Sequence, residues 1–248
     1  MNQYKMLTAE EHEERFLQPE YLPTRREFPT MTHENFLSEK EIELMNYYWN
    51  HPERIHIIDR SMSSVQEEIF GPGDYMTAEY NIFGGLYKNP WWAGIKEMLV
   101  PKIQKWLGHD IYIPHCHVLD SHYPYGIHTD NEQNGFTLAP HPAWTVIIPL
   151  EDYNSKTYIF NEISVGKHPT DLENKSDEMC ISEEVFEQDF AGLKTPKEWL
   201  KKLTLDGAYP WKAGSAICSD RYKYHSSDNY YNHGLKNKRA IIMWTTHT

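Results

Sequence analysis

Apolar residues spaced three and four apart dominate the first half of the chain, and denser, strand-like apolar runs dominate the second. Residues 1–32 are polar and punctuated by Pro19, Pro23 and Pro29, and they read as an N-terminal arm. A helix signal follows. Ser38 and Glu41 make a capping box, Leu37 is placed to staple onto Ile42, and Ile42, Met45 and Trp49 continue one face. A second helix is predicted after Asn89, with Pro90 in its first turn. Trp91, Ile95, Met98, Leu99, Ile103 and Trp106 share its face, and Gly108 ends it. Pro101 interrupts that face. A proline there lacks a backbone donor and crowds the preceding turn, so a kink or break is expected. Turns at Gly71-Pro72-Gly73 and Gly84-Gly85 divide the stretch between the helices.

From residue 111 the pattern becomes strand-like, with strands expected at 111–119, 144–150, 157–160, 215–218 and 240–246. Residues 161–208 read as an acidic, loop-rich insertion and a candidate lid. It carries one helix signal, Thr195, Pro196 and Glu198 ahead of Trp199, Leu200 and Leu203. Helices in front and strands behind predict a single α+β domain spanning 1–248, with a mainly β core of sandwich or jelly-roll type.

Composition narrows the partners. The chain has 248 residues and a formal net charge of −12, without a basic stripe, which disfavours extended contact with nucleic acid or anionic membrane. Aromatic residues make up 14%, a richness that suits strand cores and stacked pockets. Cys116, Cys180 and Cys218 are few and form no CxxC pair, so reduced thiols and a cytoplasmic location are expected. No apolar run is long enough to span a membrane, and the first twenty residues lack a signal-peptide pattern.

The chemistry concentrates in two places. In Tyr123-Pro124-Tyr125-Gly126-Ile127-His128-Thr129-Asp130, His128 and Asp130 stand two apart, so an extended backbone points both to one side. An imidazole beside a carboxylate suits a borderline metal such as iron(II). The second place is 211–239, where His225 offers a third ligand. Two histidines and one carboxylate on one side of a metal form the facial triad of non-haem iron oxygenases, with the other side open. His233 competes for that role, but its position beside Gly234 reads as a solvated loop. His115 and His117 alternate on a predicted strand with Cys116 on the opposite side, which argues against a zinc site and leaves His117 as a pocket-lining candidate. Tyr123 and Trp144 are further candidates for contact with co-substrate, with Tyr112 and Thr145 beside them; core packing is the alternative for the aromatics. Asp220 and Arg221 stand near His225, either supporting the site or forming a surface turn.

His128-x-Asp130, a long gap, His225 and then Arg239 resemble the iron(II)- and 2-oxoglutarate-dependent dioxygenase superfamily, its prolyl-hydroxylase-like and bacteriophage-type members above all. The opening Asn35-Phe36-Leu37-Ser38-Glu39 is similar to the start of such domains, and the resemblance runs from about residue 33 to 247. It implies a double-stranded β-helix with N-terminal helices packed on one sheet. It also implies iron(II), 2-oxoglutarate and oxygen as the reacting partners, and Arg239 as the partner of the distal carboxylate of 2-oxoglutarate, a pairing suited to a planar guanidinium. The activity implied is hydroxylation of an aliphatic C–H bond in a small molecule or amino-acid side chain, with release of succinate and carbon dioxide. Two other readings compete: a metal- or ligand-binding jelly roll without turnover, and a nucleobase dealkylase, which the net charge disfavours.

Overall fold

The computed structural model describes residues 29–83, 89–108, 110–130, 143–163, 169–193 and 195–247. The first 28 residues of the predicted arm and the Gly84-Gly85 turn lie outside them. The elements run β1 (Met31–His33), α1 (Glu39–Asn50), β2 (His56–Asp59), α2 (Ser63–Phe70), β3 (Ala78–Ile82), α3 (Trp92–Leu107), β4 (Ile111–Ser121), β5 (Ala143–Pro149), β6 (Lys156–Ile163), α4 (Glu183–Asp189), α5 (Lys197–Leu200), β7 (Leu205–Pro210), β8 (Ala216–Asp220), β9 (Lys223–Ser227) and β10 (Lys238–His247).

The strands form a seven-stranded sheet, ordered β1-β8-β5-β10-β4-β3-β2, and a three-stranded sheet, β7-β6-β9. Every pairing in them is antiparallel. The chain is therefore a sheet-rich α+β fold, as its pattern predicts.

Helix α1 starts where the capping box places it. The Ser38 backbone N–H and hydroxyl both donate to Glu41 Oε2, each at 2.8 Å. Leu37 donates its N–H to the Gly214 carbonyl at 2.9 Å, tying the entry of α1 to the turn before β8. Gly214 has φ +70°, and a Cβ there would lie 2.7 Å from the Leu37 carbonyl oxygen, so both backbone conformation and space require glycine. The turn into helix α3 is held by the Asn89 side chain, which accepts the Trp91 N–H at 2.9 Å, and the helix ends at Gly108 with φ +78°. The break expected at Pro101 is absent, and α3 is continuous to Leu107. Pro101 is exposed, while Ile95, Leu99 and Ile103 are almost fully buried. Burying such side chains contributes about 1.5–3 kcal/mol each, enough together to outweigh an internal proline's cost of about 3 kcal/mol.

Both faces of the large sheet are covered. On the outer face Cys116 and Val118 of β4, Ile241 and Met243 of β10, Trp144, Val146 and Ile148 of β5 and Cys218 of β8 pack with Met45 and Trp49 of α1 and Ile95, Leu99 and Ile103 of α3. The inner face looks toward the small sheet, across a cavity. The small sheet's far side is covered by the insertion. Phe186 and Phe190 from α4 and the residue after it, with Leu200 and Leu203, pack on Tyr158, Phe160 and Tyr224. The described residues of the insertion supply α4, α5 and most of β7.

Candidate functional site

Strand alternation decides which side chains meet in the cavity. On β4, His115, His117, Leu119 and Ser121 face inward, and on β10, Lys238, Ile242 and Trp244 do. Opposite residues of an antiparallel pair share a face, and the register pairs Ser121 with Lys238, His117 with Ile242 and His115 with Trp244. Thr145 and Ile147 of β5 continue this surface, and Tyr80 and Ile82 of β3 with Ile57 and Asp59 of β2 extend it to the sheet's edge. Thr157 of β6 with His225 and Ser227 of β9 form the opposing wall. The cavity between them has a volume of about 700 Å³.

His128, Asp130 and His225 converge on this cavity. One nitrogen or oxygen from each lies within 4.8 Å of the others. The backbone causes the meeting: His128 and His225 exchange both N–H···O=C bonds at 2.9 Å, a two-residue bridge that brings the loop after β4 onto β9. The rings lie 4.3 Å apart, centroid to centroid, and His225 Nε2 stands 3.6 Å from Asp130 Oδ1. Each histidine is oriented by a backbone carbonyl two residues earlier. His128 Nδ1 lies 2.7 Å from the Gly126 oxygen and His225 Nδ1 3.1 Å from the Lys223 oxygen. With Nδ1–H donating, Nε2 of each ring is left as a lone-pair donor, the arrangement found around protein-bound metals. Asp130 is held by the Thr145 hydroxyl, which donates to Oδ2, and its backbone oxygen accepts from Arg221 Nη2 at 3.3 Å.

Electrostatics fit the same donor set. Burial opposes ionisation of Asp130, but the charge of His225 and its hydrogen bond override it and hold the carboxylate well below its usual range. Burial, reinforced by His225, lowers His128 to about 4, so it is neutral near pH 7. His225 is raised despite burial because Asp130 faces it. Two neutral imidazoles and one carboxylate, gathered on one side of an open cavity, suit a divalent ion such as iron(II).

The other candidates fall on two sides of the alternation. His117 lies in the cavity wall, with His115 Nε2 2.6 Å from its Nδ1, and both are kept neutral by burial, His115 at about 4. Thr145 is in the wall as well. Arg239 is not brought to the site. It lies on the outer face of β10, where Nη2 bonds Asp120 Oδ2 at 2.6 Å and the guanidinium stacks 4.6 Å over Trp49. Strand phase explains the placement: its neighbours Lys238 and Ala240 hold the inner face. Trp144 is likewise in the outer core, one residue out of phase with Thr145. Tyr123 is buried beside Tyr125, and it is not among the cavity-lining residues. His233 bonds Asp189 at 2.8 Å rather than joining the triad. Arg221 supports the site, stacking 5.0 Å over Trp244 besides its bond to Asp130. The Tyr112 side chain lies outside the described residues. Described residues of the insertion 161–208 do not line the cavity, so its placement lends no support to a lid.

Sequence reasoning missed Lys238. It is 3% exposed, with Nζ 3.0 Å from Ser155 Oγ, 3.8 Å from Asp228 Oδ1 and 3.8 Å over the Trp211 ring. Burial pulls its amine down to about 8 against the pull of Asp228. It is in phase with Ile242 and Trp244, four and six residues on, but only the pairing of β10 with β4 shows that this phase faces the cavity.

No protein-family model matches the chain, and no curated protein does. Solved structures do. It is similar to the non-haem α-ketoglutarate-dependent carbocyclase SnoK from nogalamycin biosynthesis, with 15% identity, 98% of this chain and 88% of that one covered, and a TM-score of 0.53. The α-ketoglutarate-dependent epimerase SnoN from the same biosynthesis matches at 14% identity over 92% of this chain and 82% of its own, with a TM-score of 0.51. AviO1 from Streptomyces viridochromogenes Tue57 matches at 9% identity over 90% and 94%, with a TM-score of 0.50. At these identities the likeness defines the fold: it is one that non-haem α-ketoglutarate-dependent enzymes use, the class the two motif regions resemble.

Proposed function

We propose that this chain is an iron(II)- and 2-oxoglutarate-dependent oxygenase that hydroxylates an aliphatic C–H bond, with a double-stranded β-helix formed by its two sheets. The observation that carries the reading is the His128–Asp130–His225 group, three ligands from one side with a cavity on the other. When bound, iron(II) with oxygen and 2-oxoglutarate supplies the oxidising chemistry, coupling decarboxylation to succinate with oxidation of the prime substrate's C–H bond. The protein's own work is positional. Gly126 and Lys223 carbonyls fix the two imidazoles, Thr145 turns the Asp130 carboxylate, and the apolar wall of Ile147, Ile242 and Trp244 excludes water from the reacting centre.

For the co-substrate, Lys238 takes the role expected of Arg239. Its ammonium is buried in the cavity wall, and an aliphatic dicarboxylate between the triad and Lys238 would lie along Ile147, Ile242 and Thr157. The three free cysteines and the net charge of −12 favour a cytoplasmic enzyme acting on a substrate other than nucleic acid. The test is iron-dependent succinate formation. His128→Ala and Asp130→Ala are expected to abolish it and to lose iron binding while the thermal melt stays cooperative. Full turnover in either variant rejects the assignment.

A further inference from the structure

The carboxylate and ammonium groups in the cavity wall are those of Asp130, Lys238 and Asp59. Asp130 faces His225 and Lys238 faces Asp228. Asp59 has no such partner: among the described residues, no cation lies within ion-pair distance of it. Its sequence neighbour Arg60 is turned to Asp74 and to the Tyr75 carbonyl.

The Asp59 carboxylate is nevertheless fixed. Oδ1 accepts the Ser61 N–H at 2.8 Å and Oδ2 the Ser61 hydroxyl at 3.2 Å. The Tyr125 hydroxyl bonds to it as well, and Tyr80 bonds Tyr125. Tyr125 in turn packs its ring 5.8 Å from that of His128, and Tyr80 packs 5.1 Å from His117. This places a held anion and two aromatic rings at the β2 edge of the cavity, with Tyr125 beside His128, while Lys238 reaches from β10 to the Trp211 ring.

We infer that Asp59, with Tyr80 and Tyr125, forms a recognition subsite for a positively charged amine, so that the prime substrate is a basic molecule oxidised at a carbon near its ammonium group. The inference rests on the oxygenase reading for what happens to that substrate. Asp130 lies among the metal ligands and Lys238 faces Asp228, which leaves Asp59 as the wall carboxylate without a counter-charge among the described residues. An ammonium gives the carboxylate a charge-assisted hydrogen bond, and the tyrosine rings offer it their negative faces. A neutral substrate would leave the carboxylate without a counter-charge, and an acidic one would be repelled by it.

Three probes of one shape test this: benzylammonium, benzyl alcohol and benzoate. Each is titrated by ligand-observed NMR onto protein loaded with zinc(II) and 2-oxoglutarate, and onto metal-free protein, at low and at high salt. Benzylammonium is expected to bind about tenfold or more tightly than benzyl alcohol, the lower range for a charge-assisted hydrogen bond. Asp59→Asn, which keeps the shape, is expected to erase that preference while zinc and 2-oxoglutarate still bind. Equal affinity for the amine and the alcohol, or a preference that survives in Asp59→Asn, overturns the subsite. A failure of the wild-type protein to take up metal and 2-oxoglutarate sinks the oxygenase reading instead, and the amine preference is then read on the metal-free form.

Discussion

Replacing Lys238 by methionine removes one charge from the cavity and leaves its volume nearly unchanged. Two unit charges about 4 Å apart interact by about 4 kcal/mol at an effective dielectric of 20. Truncating one partner of a buried, hydrogen-bonded charge pair costs about 2–5 kcal/mol. Lys238 is that kind of partner: it is 3% exposed, bonded to Ser155 and stacked on Trp211. The KM for 2-oxoglutarate in Lys238→Met should therefore rise about 30-fold or more, with kcat at saturating co-substrate much less affected. Succinate formation across a 2-oxoglutarate titration measures both. Arg239→Met is the internal control. It breaks the Asp120 pair and the stacking on Trp49 in the outer layer, so it should lower the melting temperature and leave that KM within about threefold. The pH dependence has a defined sign. The carboxylate is bound by the ammonium, and burial lowers that ammonium to about 8. As pH rises through 8 the free enzyme loses the proton, so kcat/KM for 2-oxoglutarate falls on the alkaline side, and the limb disappears in Lys238→Met. An unchanged KM in Lys238→Met, or a large rise in Arg239→Met, refutes the assignment.

Two further substitutions probe the scaffold of the site. Thr145→Val keeps the side chain's shape but removes the hydroxyl that holds Asp130 Oδ2, and about a 10–100-fold loss of iron affinity is expected, measured by equilibrium dialysis; unaltered affinity would show that Asp130 needs no such support. Gly214→Ala meets both a positive φ and the Leu37 carbonyl, and should cost about 1–3 kcal/mol, read in chemical denaturation; a neutral result would mean that the α1 entry moves freely relative to β8.

The local signals were legible because they depend on few residues. The capping box at Ser38 and Glu41, the end of α3 at Gly108 and the shared side of His128 and Asp130 all follow from backbone geometry over a few positions. His225 was a candidate by residue type, with His233 competing, and the physical means of its pairing, the exchange of backbone bonds with His128, is a contact across almost a hundred residues. Strands β2 and β3 were missed, and with them Asp59 and Tyr80: segments of four and five residues carry little apolar pattern of their own.

What the chain decides alone, then, is where α1 starts and α3 ends, where its strand-rich half begins, and which residue types stand at ligand spacing. What only the tertiary structure decides is which face of each strand is the inside. Strand β10 is the clearest case. Alternation normally marks the buried face, but β10 is covered on both sides, by the cavity on one and by α1 and α3 on the other. Lys238, Ala240, Ile242 and Trp244 therefore look no more or less interior than Arg239, Ile241 and Met243. The choice between Lys238 and Arg239 is made by register with β4 and β5, which no local window contains.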